Sequence, residues 1–402
     1  MTPSDAFPPL HGVRVLEAAR VLAGPFCGQL LADLGAEVVK VERPGAGDET
    51  RAWGPPFHAG GLSAYFLSCN RGKKSVTLNL AHPEGLRLFH EMLARCDVLL
   101  ENFRTDSAAK LGLAAEALLE RHPRLIVCSL SGYGRTGPWR DAPGYDFAIQ
   151  AQSGLMAITG PKDGPPCKVG VAVADVLSGM YGAIAVLACL RAREKSGHGY
   201  AIDLALLDCA VAAQVNVAQA YLTGGTVPPR QGNAHLQIVP YQLFATADGW
   251  LVLAVGNDGQ WRAFCEAAEA PDLAAEERFR TNPDRVRHRD ELVPKVEALM
   301  RSRTTEEWKR RLTGRGVPHA EVWDYSQVFA SEQAAARGLR LTVRDPQGRP
   351  VDLVGSPFHI AGAGESAVEC PPQLGQNTES VLADWLGVDA AARERLRRDG
   401  AI

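Results

Sequence analysis

The feature that most narrows what this chain can fold into is an alternation of strand and helix with short connections. Val13–Ala19 reads as a strand, Phe26–Leu34 as a short amphipathic helix stopped by Gly35, and Ala36–Glu42 as a second strand. Connections this short imply a parallel pair joined by a crossover helix. The alternation continues through a helix at Pro83–Cys96, a strand at Asp97–Asn102, a helix at Ala108–Glu120 and a strand at Leu125–Ser131. A helix opening at Gly144–Phe147, another at Ser178–Gly197, a strand at Tyr200–Ala205 and an apolar helix at Leu207–Leu222 complete it. The expected class is therefore α/β, with a parallel sheet covered by helices.

This opening unit invites comparison with a dinucleotide site, because Glu42 closes the second strand where an acidic residue could hold a ribose. The first turn reads Ala-Gly-Pro-Phe-Cys-Gly instead of Gly-x-Gly-x-x-Gly, and Pro25 removes an N–H that a pyrophosphate would use. A nucleotide-binding half of that kind is not expected. A glycine- and proline-rich excursion follows at 43–57. Next comes a basic turn, Arg71, Lys73 and Lys74, which is either a solvated face or a docking point for a polyphosphate.

Composition shifts at the linker-like stretch Gly224–Arg230. Beyond it, strands at Tyr241–Ala245 and Trp250–Val255 flank Ala247-Asp-Gly249 as a hairpin, with charged helices near 259–268, 289–301 and 305–313. Residues 228–325 thus read as a smaller α+β domain after a large one at 1–227. A net charge of −3 gives nucleic acid or an anionic membrane no electrostatic hold. No apolar run approaches membrane-spanning length, the 179–190 segment being too short. The first seven residues carry no export signal. Nine scattered cysteines without Cys-x-x-Cys fit a reducing compartment, so the expected location is cytoplasmic. Neither they nor the ten histidines show metal-ligand spacing, and no metal site is expected.

The chemistry centres on Asp175. Val169–Ala174 before it reads as a buried strand or loop edge, and a buried helix starts at Ser178 after it. Asp175 then sits where an N-cap does, and capping alone would explain it. The alternative is a carboxylate nucleophile that carries an acyl group, with helix N–H groups near enough to stabilise an oxyanion. Spacing leaves both open.

Several ordered motifs resemble the class III CoA-transferases of CaiB/BaiF type, a family that includes 2-methylacyl-CoA racemases. They are Leu10-His-Gly-Val-Arg-Val-Leu16, Val21-Leu-Ala-Gly-Pro25, Asp33-Leu-Gly-Ala-Glu-Val-Val-Lys-Val-Glu-Arg-Pro44, Cys69-Asn-Arg-Gly-Lys-Lys-Ser75, Val98-Leu-Leu-Glu-Asn-Phe103, Gly154-Leu-Met-Ala-Ile-Thr-Gly160 and the segment ending at Asp175. Gly232–Gln242 and Arg43–Arg51 are most similar to the succinyl-CoA:dicarboxylate branch. The resemblance implies a Rossmann-like large domain built from both chain ends, with 326–402 returning to it, and a ring-shaped subunit interlocked in a homodimer. It implies Asp175 as the nucleophile, acyl-CoA and small carboxylic acids as substrates, and no permanently bound cofactor, nucleic acid or membrane.

By the same resemblance Val21, Leu22 and Ala23 line the adenine or pantetheine path and Arg43 meets the nucleotide phosphates. Leu78 meets the adenine, Lys110 the 3′-phosphate or diphosphate, and Asn102 and Phe103 form the adjoining wall. Ala81 stands where some relatives carry a phosphate-binding Lys, and Arg104-Thr-Asp106 replaces the usual Pro-Gly. Arg71 is expected to hold the distal carboxylate of a dicarboxylate, with Tyr145 and His235 as further substrate contacts. A racemase needs a proton-transferring His before the Asp of the Gly-x-Asp turn. Here Tyr145 stands in that place, and its ordinary pKa of about 10 suits α-proton abstraction poorly. A non-catalytic CoA-binding protein is the other rival.

Overall fold

The computed structural model describes residues 7–364 and 368–402; the stretch 1–6, where the export-signal reading mostly falls, lies outside the described residues. The chain divides into two compact units. One takes in the chain up to Leu155, Val169–Gly225 and Gln333–Ile402, and the other Met156–Lys168 and Thr226–Glu332. Residues 156–168, read above as large-domain sequence, therefore group with the second unit. Gly232 N–H donates to the Gly160 carbonyl there (3.1 Å), and Arg230 donates to the Gly164 carbonyl (2.8 Å).

The first unit is built on six parallel strands: β1 (Arg14–Ala18), β2 (Glu37–Glu42), β3 (Lys73–Thr77), β4 (Val98–Glu101), β5 (Ile126–Ser131) and β6 (Tyr200–Ala205). Their order is β3-β2-β1-β4-β5-β6. The strand order reverses between β1 and β4, and sheets of this kind bind ligands in the crevice outside that switch point.

Both faces of the sheet's centre are covered, which is why β1, β4 and β5 are largely buried apolar runs, whereas the edge strand β6 alternates. Val15, Val98 and Ile126 face a layer containing α1 (Ala23–Asp33) and the long helix Val173–Ser196. Leu16, Leu99 and Val127 face the other layer. There α2 (Pro83–Leu93) supplies Leu88, Phe89 and Met92, and the returning C-terminal segment supplies Val381, Leu382 and Trp385. That segment is tied to the edge strand by Ser75 N–H donating to Asn377 Oδ1 (3.0 Å).

Four expectations need correction. The helix expected over Ala108–Glu120 is two, Thr105–Lys110 and Ala115–Arg121, because Gly112 between them takes a left-handed φ of 69°. The apolar helix expected at 207–222 is likewise two, Leu206–Ala212 and Val215–Gly224, with Val215 (φ 29°) opening the second. The helix bearing Asp175 starts at Val173, not Ser178. Numbered in chain order, α3 is Asp146–Gln152, α4 is Val173–Ser196 and α5 is Leu206–Ala212. At 24 residues, with an 18-residue window of mean hydropathy 1.9, α4 is long and apolar enough to cross a membrane, contrary to the reading that no segment approaches that length. One of its faces is nonetheless core: Ala174, Ser178, Gly182, Val186 and Leu190 recur every fourth residue and are buried.

The second unit has its own core. Strands β7 (Tyr241–Ala245), β8 (Trp250–Ala254) and β9 (His319–Glu321) form an antiparallel sheet. Trp261, Phe264, Trp308 and Phe279 pack in that unit's core with its helices.

Candidate active site

At the switch point the turns after β1, β4 and β5 enclose a cavity of about 270 Å³ with Asp175 in its wall. Val21, Leu22 and Ala23 line it from the first turn, Asn102 and Phe103 from the second, and Tyr145 from the loop ahead of α3. A neighbouring cavity of about 470 Å³ shares Arg20, Glu49 and Phe103 with the first, and is lined by Arg43, Leu78 and Ala81. Arg104, one of the sequence departures, lines the Asp175 cavity. Lys110 lines neither cavity and is exposed at the end of its short helix.

Asp175 is the third residue of α4, inside the first turn instead of at the cap. The cap position is Ala172, whose side chain offers no acceptor. The acceptor comes from α3: Asp146 Oδ1 receives the N–H groups of Ala174 (2.8 Å) and Asp175 (3.4 Å), while Oδ2 receives Gln150 Nε2 (2.7 Å). With another residue capping the helix, the Asp175 carboxylate is left without capping work. Burial and then the Asp146 charge push its pKa up to about 7. Tyr65, on the short helix Ala64–Ser68, feels the same charges; burial, then Asp175, raise its phenol to about 12.

Opposite stands the start of α1. Its cap residue is Leu22, which makes no side-chain cap bond. The N–H groups of Leu22 and Ala23 find no acceptor among the described residues. Two unclaimed donors at a helix N-terminus, lining one cavity with an unclaimed carboxylate, can stabilise negative charge on an oxygen bound between them. Asn102 is placed differently from a ligand contact. Its Oδ1 accepts from Arg20 N–H (3.0 Å) and its Nδ2 donates to the Arg20 carbonyl (2.9 Å), so both ends of the amide hold the β1 turn.

Arg71 does not fit the role expected of it. It is buried, and its fork grips Asp33 through Nε (2.9 Å) and Nη2 (2.5 Å) while Nη1 donates to the Val354 carbonyl (3.0 Å). It lines neither cavity. The basic turn is no solvated face either: Lys73 is fully buried against Glu17 (2.8 Å). Arg71→Ala would strand the Asp33 charge, and a loss of about 3–5 kcal/mol in stability is expected. Chemical denaturation should register it, with the relative rates for dicarboxylate and monocarboxylate acceptors unchanged. His235 belongs to the second unit, where its ring lies 5.4 Å from that of Tyr241 and its Nδ1 accepts the Gln237 N–H (3.0 Å).

Sequence reasoning missed Asp146 as the cap of α4, although the Gly144-Tyr-Asp146 turn was visible. Charge on Asp146 disfavours ionised Asp175, so Asp146→Asn, which keeps an oxygen for the Ala174 N–H, should lower the Asp175 pKa. If deprotonated Asp175 is the reacting form, kcat/KM falls as pH drops through about 7, approaching tenfold per unit. The Asn variant should move that inflection to lower pH. A pH–rate profile on both proteins checks it.

A six-stranded parallel sheet with a carboxylate and helix N–H donors at its switch point defines an α/β protein built to hold a charged ligand there. Residues 10–378 match CoA-transferase family III. The chain belongs to that family and is a CoA-transferase. It is 43% identical to the succinate–glutarate CoA-transferase of Agrobacterium fabrum (strain C58), over 96% of this chain and 98% of that one. Identity to the Homo sapiens succinyl-CoA:glutarate CoA-transferase is 40%, over 98% of this chain and 90% of that one. A CAIB/BAIF family protein from Brucella suis, solved by crystallography, superposes with a TM-score of 0.83 at 40% identity, covering 95% of this chain and 100% of that one.

Proposed function

We propose that the protein moves CoA from succinyl-CoA to a short dicarboxylic acid such as glutarate, with Asp175 as the acyl carrier. The observation that carries this reading is the uncapped carboxylate of Asp175 in one cavity with the free N–H groups of Leu22 and Ala23. An Asp175 oxygen attacks the donor thioester carbonyl and the C–S bond breaks, giving a mixed anhydride and CoA thiolate. The thiolate attacks the aspartyl carbonyl, the anhydride C–O bond breaks, and the donor acid leaves as a carboxylate. The acceptor carboxylate attacks the resulting aspartyl thioester, freeing thiolate again. That thiolate attacks the acceptor's acyl carbonyl and restores the Asp175 carboxylate.

The cavity pair suits an extended acyl-CoA: Val21, Leu22, Ala23 and Phe103 near the thioester, Arg43 and Leu78 further along at the nucleotide. A second carboxylate entering the cavity loses hydration and needs a cation. Arg20, Arg104 and Arg140 line the Asp175 cavity and offer that charge in place of Arg71, whereas Arg135, also in its wall, is held by Glu101 (2.6 Å). Succinyl-CoA incubated with a panel of dicarboxylates, matched monocarboxylates and 2-methylacyl-CoA tests the assignment. New acyl-CoA from dicarboxylates supports it. Preference for monocarboxylates overturns the substrate class, inversion of the methyl-bearing carbon favours the racemase, and binding without turnover the non-catalytic reading.

The same family membership supports an interlocked homodimer of ring-shaped subunits. An apolar stripe on α4, with Met180 and Ile184 exposed, suits coverage by a second copy, as do Val215 and Leu222 in the same unit. Threaded rings separate only by opening, so the dimer is expected to persist on dilution. Sedimentation at nanomolar concentration showing a folded, active monomer would count against it.

A further inference from the structure

Val21 stands at φ 73°, a left-handed backbone conformation that a β-branched residue keeps only when its surroundings hold it there. It lies between β1 and the two unclaimed N–H groups of Leu22 and Ala23. Side chains tie the backbone on either side. The Ala19 carbonyl accepts from Lys40 Nζ (2.8 Å), both backbone polar groups of Arg20 meet Asn102, and the Pro25 carbonyl accepts from Lys73 Nζ (2.7 Å). The Val21 N–H itself is shared between Asp48 Oδ1 (3.4 Å) and Oδ2 (3.3 Å).

Asp48 is fixed in turn. Its Oδ2 lies 2.9 Å from Lys40 Nζ, and its Oδ1 accepts the N–H (3.0 Å) and hydroxyl (2.8 Å) of Thr50. Lys40 also donates to Glu17 (3.0 Å), whose other oxygen meets Lys73 (2.8 Å). Glu17, Lys40, Asp48 and Lys73 are all buried. Lys40, Asp48 and Lys73 each hold a backbone group of Ala19–Pro25, with Glu17 bridging the two lysines, and they leave free the donors that line the Asp175 cavity.

We propose that Asp48 is a positioning residue for acyl transfer: by holding Val21 in the left-handed conformation it sets the Leu22 and Ala23 N–H groups where the acyl oxygen at Asp175 develops charge. This rests on the reading of Asp175 as acyl carrier. Asp48 lines the neighbouring cavity and not the one that holds Asp175; on the acyl-transfer step it acts through the backbone of the turn.

Asp48→Asn is the informative change. The amide has one acceptor oxygen, which the Lys40 ammonium claims, and its NH2 then faces the N–H groups of Val21 and Thr50. Glycine enters the left-handed region freely, so Val21→Gly removes the need for the clamp. The measurement is the single-turnover rate at which succinyl-CoA acylates Asp175, followed by mass, together with KM for succinyl-CoA. Asp48→Asn is expected to slow acylation by about thirtyfold or more with KM changed by no more than about threefold, since misplaced donors cost rate and not binding. In the Val21→Gly background the same change should cost less than about a third as much. An equal loss in both backgrounds, or none in either, overturns the proposal. If Asp48→Asn alone does not fold, recovery of a folded, acylating protein in the Val21→Gly background supports it, and failure in both backgrounds overturns it. A wild type that never carries an acyl group at Asp175 overturns the carrier reading itself, and this one with it.

Discussion

Replacing Asp175 by Asn or Ala is expected to abolish CoA exchange, by at least about a thousandfold, while making the folded protein more stable. Loss of activity follows from removing the protein group that, in the proposed cycle, bonds covalently to the acyl group and then to CoA. The gain in stability follows from its pKa. Held at about 7 when folded and near 3.8 otherwise, the carboxyl keeps its proton more tightly in the native state, because burial and Asp146 penalise its charge. At a pH below 3.8 both states are protonated and the penalty is absent. It grows as pH rises toward 7, where the unfolded chain ionises first, and stays constant above. Its ceiling is about 4 kcal/mol from the shift, and partial exposure brings the expected gain to about 1–3 kcal/mol. Denaturation of Asp175→Asn against wild type at pH 8 and at pH 4 separates the cases. An advantage confined to the higher pH supports the account; equal stability at both would mean that the wild-type carboxylate is solvated.

The same contrast explains what could be read from the sequence and what could not. The order of strands and helices in the first unit was legible because a parallel sheet buried on both faces writes itself as separate apolar runs: Val13–Ala19, Ala36–Glu42 and Leu125–Ser131 each hold an observed strand. The start of α4 was not. Its cap is a side chain 28 residues upstream, so the local residues, Ala172 and Val173, carry no capping signal. The basic turn shows the limit most plainly. Arg71, Lys73 and Lys74 are near neighbours with similar chemistry, yet their partners are Asp33, Glu17 and Glu37. Each partner lies 37 or more positions away, on elements that meet only once the sheet has formed. A local charge run therefore looks solvated when most of it is structural. Asp175 stood out by resemblance, whereas Asp146 and Asp48 act through backbone N–H groups and leave no composition to notice.

Gly179→Ala is expected to cut kcat/KM by about ten- to a hundredfold with little change in thermal stability. Gly179 is where α4 presses on the start of α1. A Cβ there would lie 2.8 Å from the Ala23 carbonyl oxygen, 3.0 Å from Phe26 Cδ1 and 3.2 Å from Cys27 N. Two of these three are backbone atoms of a core helix and cannot swing aside. The two helices must therefore part by a fraction of an ångström. Asp175 is one turn from the contact on α4, and Ala23 is itself the contact on α1, so the separation falls between the carboxylate and the N–H groups proposed to face its acyl oxygen. Displacements approaching 1 Å in such a constellation can cost about a hundredfold. Stability changes less, because alanine's gain of about 1 kcal/mol over glycine inside a helix offsets the crowding. Gly182→Ala supplies the control one turn further on, since its Cβ would meet only the Cys27 sulfur at 3.2 Å and Leu204 Cδ2 at 3.6 Å among the nearer contacts, both side-chain atoms. Steady-state kinetics and a melt on the two variants decide the matter: a large rate loss at 179 with near wild-type rate at 182 means that the spacing of α1 and α4 is tuned for catalysis. Equal effects at both would mean that the glycines serve packing alone.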